Sequence, residues 1–282
     1  MVFLNFYNTK NILIIKLLFS SLPVFIVGFV EDITKKVSPG IRLLSAAISG
    51  MIFIYSTGFF LNKLDLYILD NLFTFRFFAI FITIIAIAGV SNSINIIDGF
   101  NGLSAIVSIA ILFSLGYVAF KVSDLLILNV SFILIGAIGG FFIWNYPFGK
   151  IFLGDGGAYF IGFMIATLSI ILVERNSQVS PWFPLLSAIY PIFETLFSMY
   201  RRKFIHKTKM DRPDAYHLHQ LIYKRVVPYV FNIHRNNKLM RNSATSPFLW
   251  LICSIGVIPA VLFYNNTIIL ITFTVIFCLS YI

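Results

Sequence analysis

The sequence predicts an all-α protein, a polytopic membrane helix bundle of about nine transmembrane helices. Three observations predict it. Of the 282 residues, 59% are apolar and only 11% charged, a balance far from that of a water-soluble domain. The apolar residues fall into runs long enough to cross a bilayer, which takes about 20 residues of helix. Finally, eleven Lys and Arg lie between Arg201 and Arg241 against two acids, Asp211 and Asp214, so this stretch carries +9 of the formal +10 charge. Basic loops stay on the cytoplasmic side, which orients everything else.

In chain order the expected spans are 11–30, 43–61, 72–90, 104–120, 125–143, 158–174, 182–200, 247–263 and 267–282. The first carries Lys16 and Pro23. A lysine stem can reach toward the interface, and a proline is tolerated where neighbouring helices satisfy the freed backbone groups. The first ten residues lack a basic n-region and no small-residue cleavage site follows, so no cleavable signal peptide is expected. Cys253 and Cys278 both fall inside spans, which argues against a disulfide or metal framework. No long linker or repeat divides the chain, and a single domain over 1–282 is expected.

Counting crossings from a cytoplasmic 201–246 puts the loops 31–42, 91–103 and 144–157 on the same side, and 62–71, 121–124, 175–181 and 264–266 on the other. Fifteen Lys and Arg fall on the first set and four in or near the second, with Lys10 and Lys16 on the N-terminal segment. The outer loops are short and chemically plain. The inner loops bring carboxylates, amides and imidazoles to one face from four separate places, more than helix capping requires.

Glu31 and Asp32 close the first span and precede Lys35, Lys36 and Arg42. Paired carboxylates there can position a divalent cation or take a proton; the competing reading is neutralisation of Lys35 and Lys36. Asn92, Asn95 and Asp98 recur every third residue, which keeps them on one broad helical face. They suit sugar hydroxyls, a uracil edge or a hydrated metal, and Gly99 and Gly102 would let a bulky ligand approach the backbone. Asp155, fenced by glycines, opens the next span. It can bring Mg²⁺ to a diphosphate at a helix N-terminus or serve as an ordinary cap. Glu194 lies inside a span, where acids are costly, and competes between a functional role and pairing with Arg201 or Arg202. His217 and His219 stand in the basic loop, able to hold phosphates or a metal but, with no cysteine near, not a structural zinc. Nothing points to nucleic acid: there is no Walker loop and no soluble βαβ unit around the glycines.

Taken together and in order, the strings GFVEDITKKVSPGIRL, NSINIIDGFNGL, WNYPFGKIFLGDGGAYFIGF and RPDAYHLHQLIYKR closely resemble the polyprenyl-phosphate N-acetylhexosamine-1-phosphate transferase family. The resemblance runs from about residue 23 through the His loop. It implies transfer of a HexNAc-1-phosphate from a UDP-N-acetylhexosamine to undecaprenyl phosphate, with UMP released, Mg²⁺ (or Mn²⁺) required and a cell-surface glycan begun on a lipid carrier. Position by position it implies Asp155 as the leading metal ligand, with Asp98 a catalytic residue that binds the metal, its water shell or the nucleotide sugar. Asp32, with Glu31, would orient or deprotonate the lipid phosphate. Asn92, Asn95, His217, His219, Lys35 and Arg42 would bind substrate. The implied partners are undecaprenyl phosphate, the UDP-sugar and membrane lipids, with a homodimer permitted; the implied place is the bacterial inner membrane, active face cytoplasmic. Two departures stand out: Glu31 occupies a position usually Asp in the family, and Gln220 one where some members carry another His. Matched to the family pattern, the sequence begins at what would be the third helix. The competing classes are a membrane transporter or flippase and an inactive truncated member. A transporter would place its polar groups near the bilayer midplane, often on broken helices in repeated halves, whereas here they gather at one interface.

Overall fold

A computed structural model of the chain describes residues 2–205, 217–231 and 237–281. Asp211, Arg212 and Asp214 of the basic loop lie outside them, as do Lys207, Lys209 and Arg235. The described residues form helices and no strand. The long ones are α1 (Val2–Thr34), α2 (Pro39–Thr57), α4 (Arg76–Ile97), α5 (Leu103–Lys121), α6 (Leu125–Asn145), α7 (Gly154–Arg175) and α12 (Lys238–Leu262), separated by the short α3 (Tyr67–Phe73), α8 (Trp182–Ser187), α9 (Ile189–Tyr200), α10 (Leu218–Leu221) and α11 (Val227–Val230) and followed by α13 (Thr267–Tyr281).

Seven of these helices are long and apolar enough to cross a membrane. They match seven of the nine expected spans. The expected 182–200 span differs: it is two helices that meet at Ala188. Pro191 sits in the first turn of α9, where its missing N–H costs nothing, and so marks a helix start rather than a helix interior. The last span, α13, has 15 residues, about 22 Å at 1.5 Å per residue, short of a hydrocarbon core of about 30 Å. Even so, α8 with α9 and α13 each run from one end of the bundle to the other, because Trp182 and Thr267 contact one end while Glu194 and Tyr281 meet near the opposite one.

The bundle is built around α7, 83% of whose span window is buried against 28% for those of α1 and α6. Two close approaches hold it there. A side chain on Gly28 of α1 would put Cβ 2.6 Å from Gly156 Cα, and one on Gly162 would stand 2.6 Å from Ser91 Cα of α4. Association inside a membrane gains little from the hydrophobic effect, so such small-residue seams, which maximise backbone contact, set helix pairing. Pro23 is accommodated within α1, and the neighbouring Val24 N–H donates to Ser49 Oγ of α2 at 3.0 Å. Buried hydroxyls of Thr83, Ser91 and Thr167 return their protons to carbonyls four residues earlier, satisfied within their own helices.

The predicted plain loops at one end contain a buried charge. Asp124 caps α6 by accepting from Leu126 and Ile127 N–H, and its other oxygen pairs with Arg175 Nε at 3.0 Å and Asn176 Nδ2 at 3.2 Å. Asn62 clasps Glu174 through its backbone and side-chain amides, and Trp182 Nε1 donates to Leu64 O at 2.9 Å. Both described cysteines are free thiols.

Candidate functional site

The other end gathers the loop after α1, the loop between α4 and α5, the loop between α6 and α7, and the segment from His217. Asp32, in the last turn of α1, accepts the backbone N–H groups of Asp155 at 2.8 Å and Gly156 at 3.0 Å. It therefore caps α7 from another helix, since Leu153 at the N-cap position supplies no side-chain bond. Gly154 turns the chain into α7 with φ +72°, and a Cβ there would sit 2.5 Å from Asp32 Oδ2. Only glycine fits, for both the backbone angle and the space.

Asp155 itself pairs with Arg42 of α2, a contact only partly open to solvent. Lys35 Nζ stands 3.9 Å from Asp32 Oδ1. Glu31 turns away from this cluster and accepts Val37 N–H at 2.7 Å, shaping the turn that carries Lys35. The adjacent pair thus divides its work: Asp32 faces α7, Glu31 closes its own loop.

Asp98 ends α4 and accepts a hydrogen bond from the Ser104 hydroxyl at the start of α5. Burial pushes its pKa up to about 6; the Ser104 hydrogen bond works against this, and the charge of Asp32 nearby adds to it. One turn back, Asn95 gives its carbonyl to Asp98 N–H at 3.2 Å, and Asn92 Oδ1 accepts from Tyr159 of α7 at 2.9 Å. The fourth group arrives at Gly99: a Cβ there would stand 3.7 Å from His219 Nε2, and the same imidazole meets Phe100 edge-on at 5.2 Å. His217 stacks on His219, 5.1 Å between centroids and 5° between planes.

Beneath these groups a framework ties the loops to one another through Asn145 and to α12 through Asn101 and Gly102, the α12 part being the one the sequence reading missed. Gly102 N–H donates to Asn145 Oδ1 at 2.6 Å and Asn145 Nδ2 to Ile151 O at 2.8 Å. Asn101 is held by Asn242 and Ser246 of α12 and reaches Pro147 O. Trp250 Nε1 donates to Gly102 O at 3.2 Å. The signal was present as the polar run Asn242-Ser243-Ala244-Thr245-Ser246 ahead of an apolar stretch. Glu194 also pairs with a different partner from either arginine considered: it accepts from His217, Leu218 and Tyr281.

An open cavity of about 450 Å³ adjoins Asp32, walled by Phe25, Phe29, Phe152 and Leu153 and carrying Lys35 at its edge. A metal ion is implied by the resemblance. Asp32, Asp98 and Asp155 supply hard carboxylate oxygens, which suit Mg²⁺ or Mn²⁺. Among the described residues no three His, Cys, Asp or Glu converge as a complete cage; Mg²⁺ binds through one or two carboxylates plus water and substrate phosphates. The donor set fits.

The glycosyl transferase family 4 model matches residues 14–173, more than half of the chain. The chain belongs to that family. It is 31% identical over 197 residues to a probable undecaprenyl-phosphate N-acetylglucosaminyl 1-phosphate transferase of Bacillus subtilis, covering 70% of this chain and 54% of that one. It is 31% identical over 192 residues to a phospho-N-acetylmuramoyl-pentapeptide-transferase of Streptococcus pneumoniae, covering 65% and 56%. A Streptococcus agalactiae enzyme of the same description is 30% identical over 196 residues, covering 65% and 55%. The chain spans about half the length of these relatives.

Proposed function

We propose that this chain transfers a HexNAc-1-phosphate from a UDP-N-acetylhexosamine to undecaprenyl phosphate in the bacterial inner membrane, with its active face cytoplasmic. The observation that carries the reading is Asp32. One carboxylate joins the capped N-terminus of α7, the Arg42–Asp155 pair and an aromatic cavity open beside Lys35. That juxtaposition suits a substrate that is hydrocarbon at one end and phosphate at the other. Membership of family 4 and similarity to the Bacillus and Streptococcus enzymes support the reaction class.

In this reading an oxygen of the lipid phosphate attacks the β-phosphorus of the UDP-sugar. The bond from that phosphorus to the bridging oxygen breaks, and UMP leaves with the bond's electrons. Both reactants are anions, so catalysis is chiefly positioning and charge stabilisation. Asp32 orients or deprotonates the lipid phosphate at the cavity mouth, and Glu31 shapes the turn that presents Lys35 to it. Arg42 screens the diphosphate. Asn92 and Asn95 line the face on which Asp98 sits and address the nucleotide sugar, together with His217 and His219. Asp155 and Asp98 would hold Mg²⁺ or Mn²⁺, which supplies charge neutralisation at the phosphates when bound.

The test is transfer by membranes containing the chain, given radiolabelled UDP-GlcNAc, undecaprenyl phosphate and Mg²⁺, beside an Asp155→Asn control. Labelled lipid that vanishes in the control is expected. A well-inserted protein that labels no lipid with any of a panel of UDP-HexNAc donors would overturn the reading. The panel also identifies the sugar.

A further inference from the structure

Glu194 is 2% exposed, and no step of the proposed reaction uses it. Its oxygens nonetheless collect donors from four places, one of them the Ser198 hydroxyl of the same helix, 3.3 Å from Oε1 and 3.0 Å from His217 Nδ1. His217 Nδ1 lies 2.8 Å from Oε1, Leu218 N–H 3.2 Å from Oε2, and the Tyr281 hydroxyl reaches Oε2 from the last turn of α13. The other ring nitrogen of His217, Nε2, lies 3.2 Å from Arg202 Nη2. A guanidinium has donors and no acceptor, so this contact requires an unprotonated Nε2. In the neutral ring the proton then belongs on Nδ1, where Glu194 accepts it. The Glu194 and Arg202 contacts are consistent with each other in that tautomer alone, and the Ser198 hydroxyl beside Nδ1 then donates to Glu194 Oε1. A doubly protonated ring would lose the acceptor and set two cations 3.2 Å apart at a residue 8% exposed.

We propose that Glu194 is a positioning residue: it fixes His217 as the Nδ1–H tautomer, so that Nε2 receives Arg202 and the ring face supports His219 over the Asp98 loop. The arrangement orders a cation and an imidazole pair beside the Asp98 loop before any ligand arrives. Tyr281 ties the same carboxylate to α13, making the last helix part of the support. The anion it prepares for is a diphosphate, in keeping with the transferase reading, on which the catalytic consequence rests; the tautomer itself does not depend on that reading.

The experiment is ring-nitrogen NMR on the full chain in micelles with ¹⁵N-labelled histidine, the His217 signal assigned by its loss in His217→Asn. The expected wild-type pattern is a protonated Nδ1 and a bare Nε2. Glu194→Ala should abolish that pattern. Glu194→Gln keeps a carbonyl acceptor and should restore it. In the transfer assay Glu194→Ala is expected to lower kcat/KM by about 10- to 100-fold, the range for loss of a group that orients another, mostly through KM for the UDP-sugar. Adding His217→Ala should cost little more, since both changes remove one coupled unit. A wild-type His217 protonated on Nε2 or on both nitrogens would overturn the proposal, as would an unchanged tautomer in Glu194→Ala or fully additive losses. A chain with no transferase activity but the expected tautomer would sink the transferase reading and leave the positioning claim standing.

Discussion

Asp155 and Asp32 carry opposite assignments at one helix start, and substitution separates them. Asp155 presents its carboxylate to Arg42 and contributes nothing to capping through its side chain. Asp155→Asn is therefore expected to leave thermal stability in micelles nearly unchanged while lowering transfer by about 10²- to 10³-fold, the usual loss on removing one electrostatic stabiliser. Asp32 accepts two N–H groups of α7, so Asp32→Ala should cost about 1 kcal/mol or more of stability as a lost cap as well as activity. Paired melting and transfer measurements on the two variants decide it; equal destabilisation would contradict the division. Asp124 offers a control remote from the site. Its 2% exposed side chain joins the α6 cap to Arg175, so Asp124→Ala should cost about 1–3 kcal/mol through unpaired buried groups with kcat/KM of the folded fraction intact.

Helix α7 transmits packing to chemistry. Its Gly156 abuts Gly28, and the next turn of α1 carries Asp32. A Gly28→Ala change forces a Cβ to 2.6 Å from backbone that cannot retreat alone, so α1 and α7 must separate. The expected cost is about 1–3 kcal/mol, typical of overpacking, together with a fall in transfer because the Asp32 cap is pulled from α7. Melting and activity measured on the same preparation test the link; a destabilised but fully active variant would break it. The long apolar elements were legible from sequence because hydrocarbon thickness sets their length. The division of 182–200 was not, since Pro184 and Pro191 are compatible with a kinked span and only packing against α12 and α13 shows the break. The α12 clamp on Asn101 and Gly102 was missed for a related reason. Those contacts join residues more than 140 positions apart, and no local pattern encodes such a pairing.

Across the whole molecule the polar groups segregate to two ends, and sidedness can be measured directly. In a cysteine-free background, Cys253→Ala with Cys278→Ala, a single cysteine at Lys150 should react with a membrane-impermeant maleimide only after cells are opened, and one at Asn266 in intact cells. The reverse pattern would overturn the proposed orientation. The sequence by itself determined the helical class, the run of membrane-length segments and the four polar blocks, because hydropathy, charge bias and local motifs are written in neighbouring residues. It also marked Asp32, Asp98, Asp155 and His219 for one face. Tertiary structure alone decided that Glu31 leaves the cluster for Val37 N–H, that Asp32 caps a helix 123 residues away, and that Glu194 holds His217. Each of those is a choice among hydrogen-bond partners, and a carboxylate removed from water takes whichever donors the packed helices bring within reach.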